Sequence, residues 1–241
     1  MKFVLDVHTH TIASGHAYST LLENAAYASK AGLELLGITD HAPAMEGGTK
    51  PSYFLNFGTI PREIDGLQIL MGTELNIMDY EGNVDLDKFY LERMDYAIAS
   101  LHPPCIPFGT LEENTNAILK AMENPYVKIL GHPGDPRYPI DCKAIVNKAE
   151  ETGTLIEIND ASLIPNGFRK GSEVYIGEIL KLCKEKALPV VLASDAHFAT
   201  HIGSFENALR LIKEVDFPEE LIINRSVKMF KNFLKIVENA N

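Results

Sequence analysis

The chain has 241 residues, 46% of them hydrophobic and 8% aromatic, with no tryptophan; this balance excludes a disordered polypeptide and suits one barrel-sized domain with a substantial core. Against 33 acidic side chains stand 22 basic ones, a net charge of −11 without clustered Lys or Arg, which excludes a generic nucleic-acid-binding surface. Cys105, Cys142 and Cys183 lie far apart without a C-x-x-C pair, no signal-peptide pattern precedes Asp6 and no apolar run would cross a membrane, so a reduced, cytoplasmic protein is expected.

Short apolar strands alternate with amphipathic helices along the chain. KFVLDVH reads as the first strand, and TLLENAAYASKAG follows with helical apolar spacing and a stop at Gly32. The next strand falls at 35–41, and the irregular stretch 42–66, rich in Pro and Gly, is a candidate lid or a plain surface loop. Strands are then read at 67–75, 94–102, 127–132, 154–159 and 188–197, with ELIIN at 220–224 as a weak eighth. Helices fit at 111–124, 141–152, 172–187, 203–214 and 226–238. Apolar runs that do not alternate in polarity predict a parallel sheet covered on both faces, and residues 1–241 are expected to form one βα-repeat domain.

The potential metal ligands fall at the carboxyl ends of these strands. His8 and His10 end the first strand, His41 the second, Glu74 the third, His102 the fourth, His132 the fifth, and Asp195 with His197 the seventh. His16 lies in the loop after the first. In a parallel βα barrel these ends converge on one mouth. His8 and His10 project from one strand face about 7 Å apart, close enough to share an ion. His102-Pro103 and His132-Pro133 each place a ligand before proline, which predicts an extended backbone. Asp6 and Asp40 are candidate acceptors for imidazole N–H groups. Nitrogen and carboxylate ligands without thiolate suit Zn, Mn or Fe, and nine ligands imply two or three divalent ions, with Glu74 placed to bridge a pair.

The motifs DVHTHT, ITDH, GTELN, ASLH, GHP and SDAH, with His16, occur in this order between residues 6 and 197. Together they resemble the PHP (polymerase and histidinol phosphatase) family. The length and the EINDAS…RKGSE stretch are similar to its small stand-alone phosphatases. The resemblance implies a distorted (βα)7, TIM-like α/β barrel holding three metals, zinc first among the candidates. By motif, His8, His10, Glu74 and Asp195 would hold one ion, Glu74, His102 and His132 a second, and His16, His41 and His197 a third. Asn159 and His201 are the implied substrate contacts.

Such a pocket would carry roughly +4, set in an acidic protein, and would select a small phosphomonoester. A metal-bridging hydroxide would attack phosphorus, with Glu74 and Asp195 acting through the metals. Arg169 and Lys170, after the sixth strand, are candidates for a further phosphate grip, Arg169 the better because guanidinium binds phosphate in a bidentate way. Metal-dependent deoxyribonucleases and amidohydrolases share the H-x-H pattern but do not account for His16, His41 and His197 together. A non-catalytic metal-binding or regulatory protein is the rival of another class.

Overall fold

The computed structural model describes residues 2–235, and within them the chain forms a mixed α/β fold of two sheets, parallel except for one short antiparallel edge strand. The first sheet comprises β1 (Leu5–Asp6), β2 (Leu35–Ile38), β3 (Glu63–Ile64) and β4 (Leu67–Met71) in the order β1-β2-β4-β3. The second runs in sequence order: β5 (Thr73–Asn76), β6 (Ala97–Ser100), β7 (Val127–Leu130), β8 (Leu155–Asn159) and β9 (Val190–Ala193). The strand expected over 67–75 is thus broken at Gly72, where a Cβ would lie 2.6 Å from the Tyr96 carbonyl oxygen. Only glycine lets the chain pass there and change sheets. At the other side, a Thr9–Ala196 bridge and the Asn224 side chain join β1 to β9: Asn224 donates to Leu5 and Leu192 carbonyls and accepts from the Leu192 N–H.

The longer helices are α1 (Leu21–Lys30), α4 (Leu111–Ala121), α5 (Cys142–Thr152), α6 (Ser172–Lys186), α7 (Glu206–Glu214) and α8 (Val227–Leu234), with single turns α2 (Pro51–Phe54) and α3 (Lys88–Leu91). Thr20 with Glu23 and Thr110 with Glu113 form capping boxes, so α1 and α4 start where their first backbone donors are satisfied. The end of the helix expected over 226–238 lies outside the described residues. Two other expectations are corrected. Residues 42–66 hold α2, a 3-10 turn and the antiparallel strand β3, and ELIIN folds as 3-10 turns with one bridge from Ile222 to Val190. No helix of the described residues is long and apolar enough to cross a membrane.

Two apolar clusters form the core. The larger lies between the strands and the helices. The smaller gathers Leu5, Leu35, Leu70, Ile98, Ile129, Leu155 and Val191, one from each of β1, β2, β4, β6, β7, β8 and β9, against Phe230 of α8. Strand periodicity then positions the site: stepping by two along one face leads from Ile98 through Ser100 to His102, and from Leu155 to Glu157 and Asn159. The same step leads from Leu70 past Gly72 to Glu74. An apolar floor at the amino ends therefore obliges polar groups at the carboxyl ends to face one another.

Candidate metal centre

Glu74 is fully buried and stands at the middle of the cluster. Its Oε2 faces His41 Nδ1 at 2.8 Å, His8 Nε2 at 3.3 Å and His10 Nε2 at 3.6 Å. Its Oε1 faces His132 Nε2 at 2.8 Å and His102 Nε2 at 3.1 Å. One carboxylate thus turns each oxygen toward a separate set of imidazoles. Asp195 closes the first set, its Oδ1 lying 3.2 Å from His10 Nε2 and 3.6 Å from both His8 Nε2 and His197 Nδ1. His16 stacks on His41 and His197 at ring distances of 4.9 and 4.7 Å, with 3.0 Å between the His16 and His197 Nε2 atoms.

The opposite ring nitrogens decide what these inward atoms can do. His8 Nδ1 meets Glu157 Oε1 at 2.6 Å, and a carboxylate accepts, so Nδ1 carries the proton. Ser14 gives its single hydroxyl proton to Asp40, so His10 Nδ1, 3.1 Å away, must donate to the Ser14 oxygen. Asn76 spends its amide N–H groups on Asp85 and the Ala42 carbonyl, which leaves Oδ1 to accept from His102 Nδ1 at 2.7 Å. His197 Nδ1 donates to the Asp195 carbonyl at 2.9 Å. In their neutral forms, these four imidazoles therefore aim unprotonated Nε2 lone pairs inward. His8 Nε2, His10 Nε2, His41 Nδ1 and Glu74 Oε2 are buried without a hydrogen-bond partner among the described residues. Buried lone pairs converging without donors are costly as a hydrogen-bond network and are the arrangement a cation satisfies. The donor set therefore fits divalent ions, and three groups fall within reach of shared ions: His8, His10 and Glu74; His10, His41 and His197; His41, Glu74 and His102.

Electrostatics agree. Burial would push His8 down, but Glu157, Glu74 and Asp195 outweigh it and hold the imidazole well above its usual range, so this cluster attracts positive charge. Burial, reinforced by His41, keeps His10 well below the usual range, and burial brings His102 to about 4. Burial and then the neighbouring His41 lower His16 as well. Burial opposes ionisation of Glu74 and Asp195, yet the surrounding histidines, His102 foremost for Glu74 and His8 for Asp195, hold both well below the usual carboxylate range. Neutral imidazole and ionised carboxylate are the forms that ligate metals, so His10, His16, His102, Glu74 and Asp195 are held ready, whereas at His8 a cation would take the place of the proton that the surrounding carboxylates favour.

Several residues differ in place from the sequence expectation. Asp6 binds backbone N–H groups of His8, Ser194 and Gly203 and is raised to about 6 chiefly by burial. Asp40 reaches His10 only through Ser14 and also accepts from Tyr53 of α2. The direct imidazole partners are instead Glu157, Ser14 and Asn76. His132 is not extended: its φ is +28°, and Glu157 Oε2 takes its backbone N–H at 2.7 Å. Proline's steric preference is overridden there by this buried hydrogen bond. Asp195 likewise has φ +55°.

Arg169 lines the cavity, donating to Ser162 Oγ at 3.3 Å and Asp195 Oδ2 at 3.4 Å. Asn159 is a correction: it is buried behind the ligands, its amide spent on Glu157, Asp195 and Ser162, with no free polar atom for a substrate. Lys170 and His201 are exposed and do not line the cavity, because the turn after Arg169 points Lys170 outward and His201 ends a surface 3-10 turn.

No family model matches the chain. A protein named as a probable phosphatase from Clostridium novyi is 50% identical over 235 residues, covering 98% of this chain and 96% of the relative. Another of that name, from Caldanaerobacter subterraneus, is 47% identical over 236 residues, covering 98% and 92%. Among solved structures, histidinol phosphate phosphatase from Lactococcus lactis, in complex with zinc, L-histidinol and phosphate, superposes with a TM-score of 0.63 at 19% identity, covering 89% of this chain and 94% of that one.

Proposed function

The chain belongs to the family of these probable phosphatases, and from that premise we propose a metal-dependent phosphatase of small phosphomonoesters, built as a PHP-type, distorted (βα)7 barrel in one domain spanning 1–241. The observation that carries the reading is the division of Glu74, one oxygen toward His8, His10 and His41 and the other toward His102 and His132. That division supports Glu74 as a bridging ligand. His8, His10 and Asp195 would complete one ion, His102 and His132 a second, and His16, His41 and His197 a third, with zinc, or manganese or iron in its place. Divalent ions held there would supply Lewis acidity toward phosphoryl oxygens and a water activated at neutral pH.

The chain's own residues do the rest. Glu157, Ser14 and Asn76 fix the tautomers of His8, His10 and His102, so no ring rotation is needed when a ligand arrives. Arg169 is placed to turn its guanidinium from Asp195 toward a phosphate oxygen, a charge-assisted pair that orients the ester. The unpaired cysteines suit a reducing, cytoplasmic setting.

The test is phosphate release by purified protein with each metal restored in turn, run against cleavage of DNA at equal phosphate concentration and low salt. A surface of net charge −11 should repel a long polyanion, so small monoesters should turn over faster. Faster cleavage of DNA would favour the nuclease reading. Absence of turnover on any ester would favour a non-catalytic metal-binding protein.

A further inference from the structure

Resting on the phosphatase reading, we propose that the cavity selects phosphomonoesters whose alcohol carries a flat apolar ring, and that Phe168 sets this preference. The cavity encloses about 430 Å³. Its polar side chains are histidines, Glu74, Asp195 and Arg169, all belonging to the phosphate end, whereas Met45, Pro103, Pro104, Ile164 and Phe168 form the walls. The walls therefore present no side-chain hydrogen-bond partner. A polyol drawn in behind its phosphate would strip water from hydroxyls that find no replacement, whereas an apolar ring loses nothing and buries its surface.

Phe168 is 73% exposed and Ile164 49% exposed, on the loop that follows β8. Large apolar side chains singly exposed are ordinary, but these two stand at the rim of the catalytic cavity, and Phe168 is held in place. The Arg137 guanidinium lies 4.0 Å from the Phe168 ring centroid, and Arg137 is itself fixed to Asp135 through Nε at 2.9 Å to Oδ1. A ring braced on one side by a pinned cation is a ready platform for a second flat group on its remaining surface.

The experiment compares 2-phenylethyl phosphate with glycerol 3-phosphate on the metal-loaded enzyme. Both release alkyl alcohols, so the ratio of kcat/KM reads recognition of the alcohol more than its quality as a leaving group. The ring ester is expected to lead by on the order of tenfold or more. Phe168→Ala should bring the ratio down toward unity, chiefly by raising KM for the ring ester, and Phe168→Tyr should keep it. Glycerol 3-phosphate turned over as well as the ring ester, or a ratio unmoved by Phe168→Ala, overturns the inference and leaves the phosphatase reading standing. Failure of both esters, with every metal tried, overturns both.

Discussion

Glu74→Gln is expected to lower kcat/KM by on the order of a thousandfold or more, because a bridging carboxylate supports several kcal/mol of charge stabilisation at more than one ion. The amide keeps the shape but offers one oxygen where the carboxylate turns two, toward His8, His10 and His41 on one side and His102 and His132 on the other. Metal content should therefore fall together with turnover, by more than one site. Glu157→Gln leaves one oxygen where the carboxylate offers two to His8, His132 and Asn159, and should weaken metal affinity by about 10–100-fold, the usual loss for a residue that orients a ligand. Arg169→Ala should chiefly raise KM, since the guanidinium binds ester and transition state alike. Steady-state kinetics with elemental analysis of each variant separates the three. Equal losses from Glu74→Gln and Arg169→Ala would contradict this division of roles.

Stripping the metals is expected to abolish turnover and lower thermal stability together. The site buries Glu74 and Asp195 beside nitrogens of His8, His10 and His41 that have no hydrogen-bond partner among the described residues, so ions that bind the folded chain alone stabilise it. At a thousand times Kd that stabilisation is about 4 kcal/mol, and at about 2–4 °C per kcal/mol for a chain of this size the Tm should fall by roughly 10 °C. Reloading should restore both, more completely at pH 7 than at pH 5, because protons compete with metal for the imidazole nitrogens. Dialysis against chelator, followed by thermal unfolding and phosphate release before and after reloading, checks the pairing. A Tm that stays put while activity persists would contradict it.

The candidate ligands were legible because strand periodicity leaves few choices. H-x-H at residues 8 and 10, and single polar residues ending otherwise apolar runs, announce side chains on one face at the carboxyl ends. Their partners were not legible. Glu157 lies 149 residues from the imidazole it orients, and only the pairing of β8 with β9, with the Thr9–Ala196 bridge beyond β9, brings them together. A signal did exist, a lone acid within LIEIN, but spacing alone does not say which histidine it meets. Asn76, two residues beyond Glu74 on the same strand face, was readable by the same parity. Ser14 lies in a short 3-10 turn that Thr11 caps and Gly15 ends, marks that show a turn but not which imidazole its serine meets. His132 resisted for a different reason: a local rule about the residue before proline yielded to a buried hydrogen bond made from another strand. The substrate side was least legible, since Asn159, Lys170 and His201 carry suitable chemistry and only the fold reveals that none faces the cavity.

The most direct test of Glu74 as the bridge is anomalous diffraction from crystals of the metal-loaded protein, with data collected on either side of each metal's absorption edge. Two to three ions are expected at the strand ends, two of them in contact with opposite oxygens of Glu74. A single ion, or ions bound away from Glu74, would contradict that role.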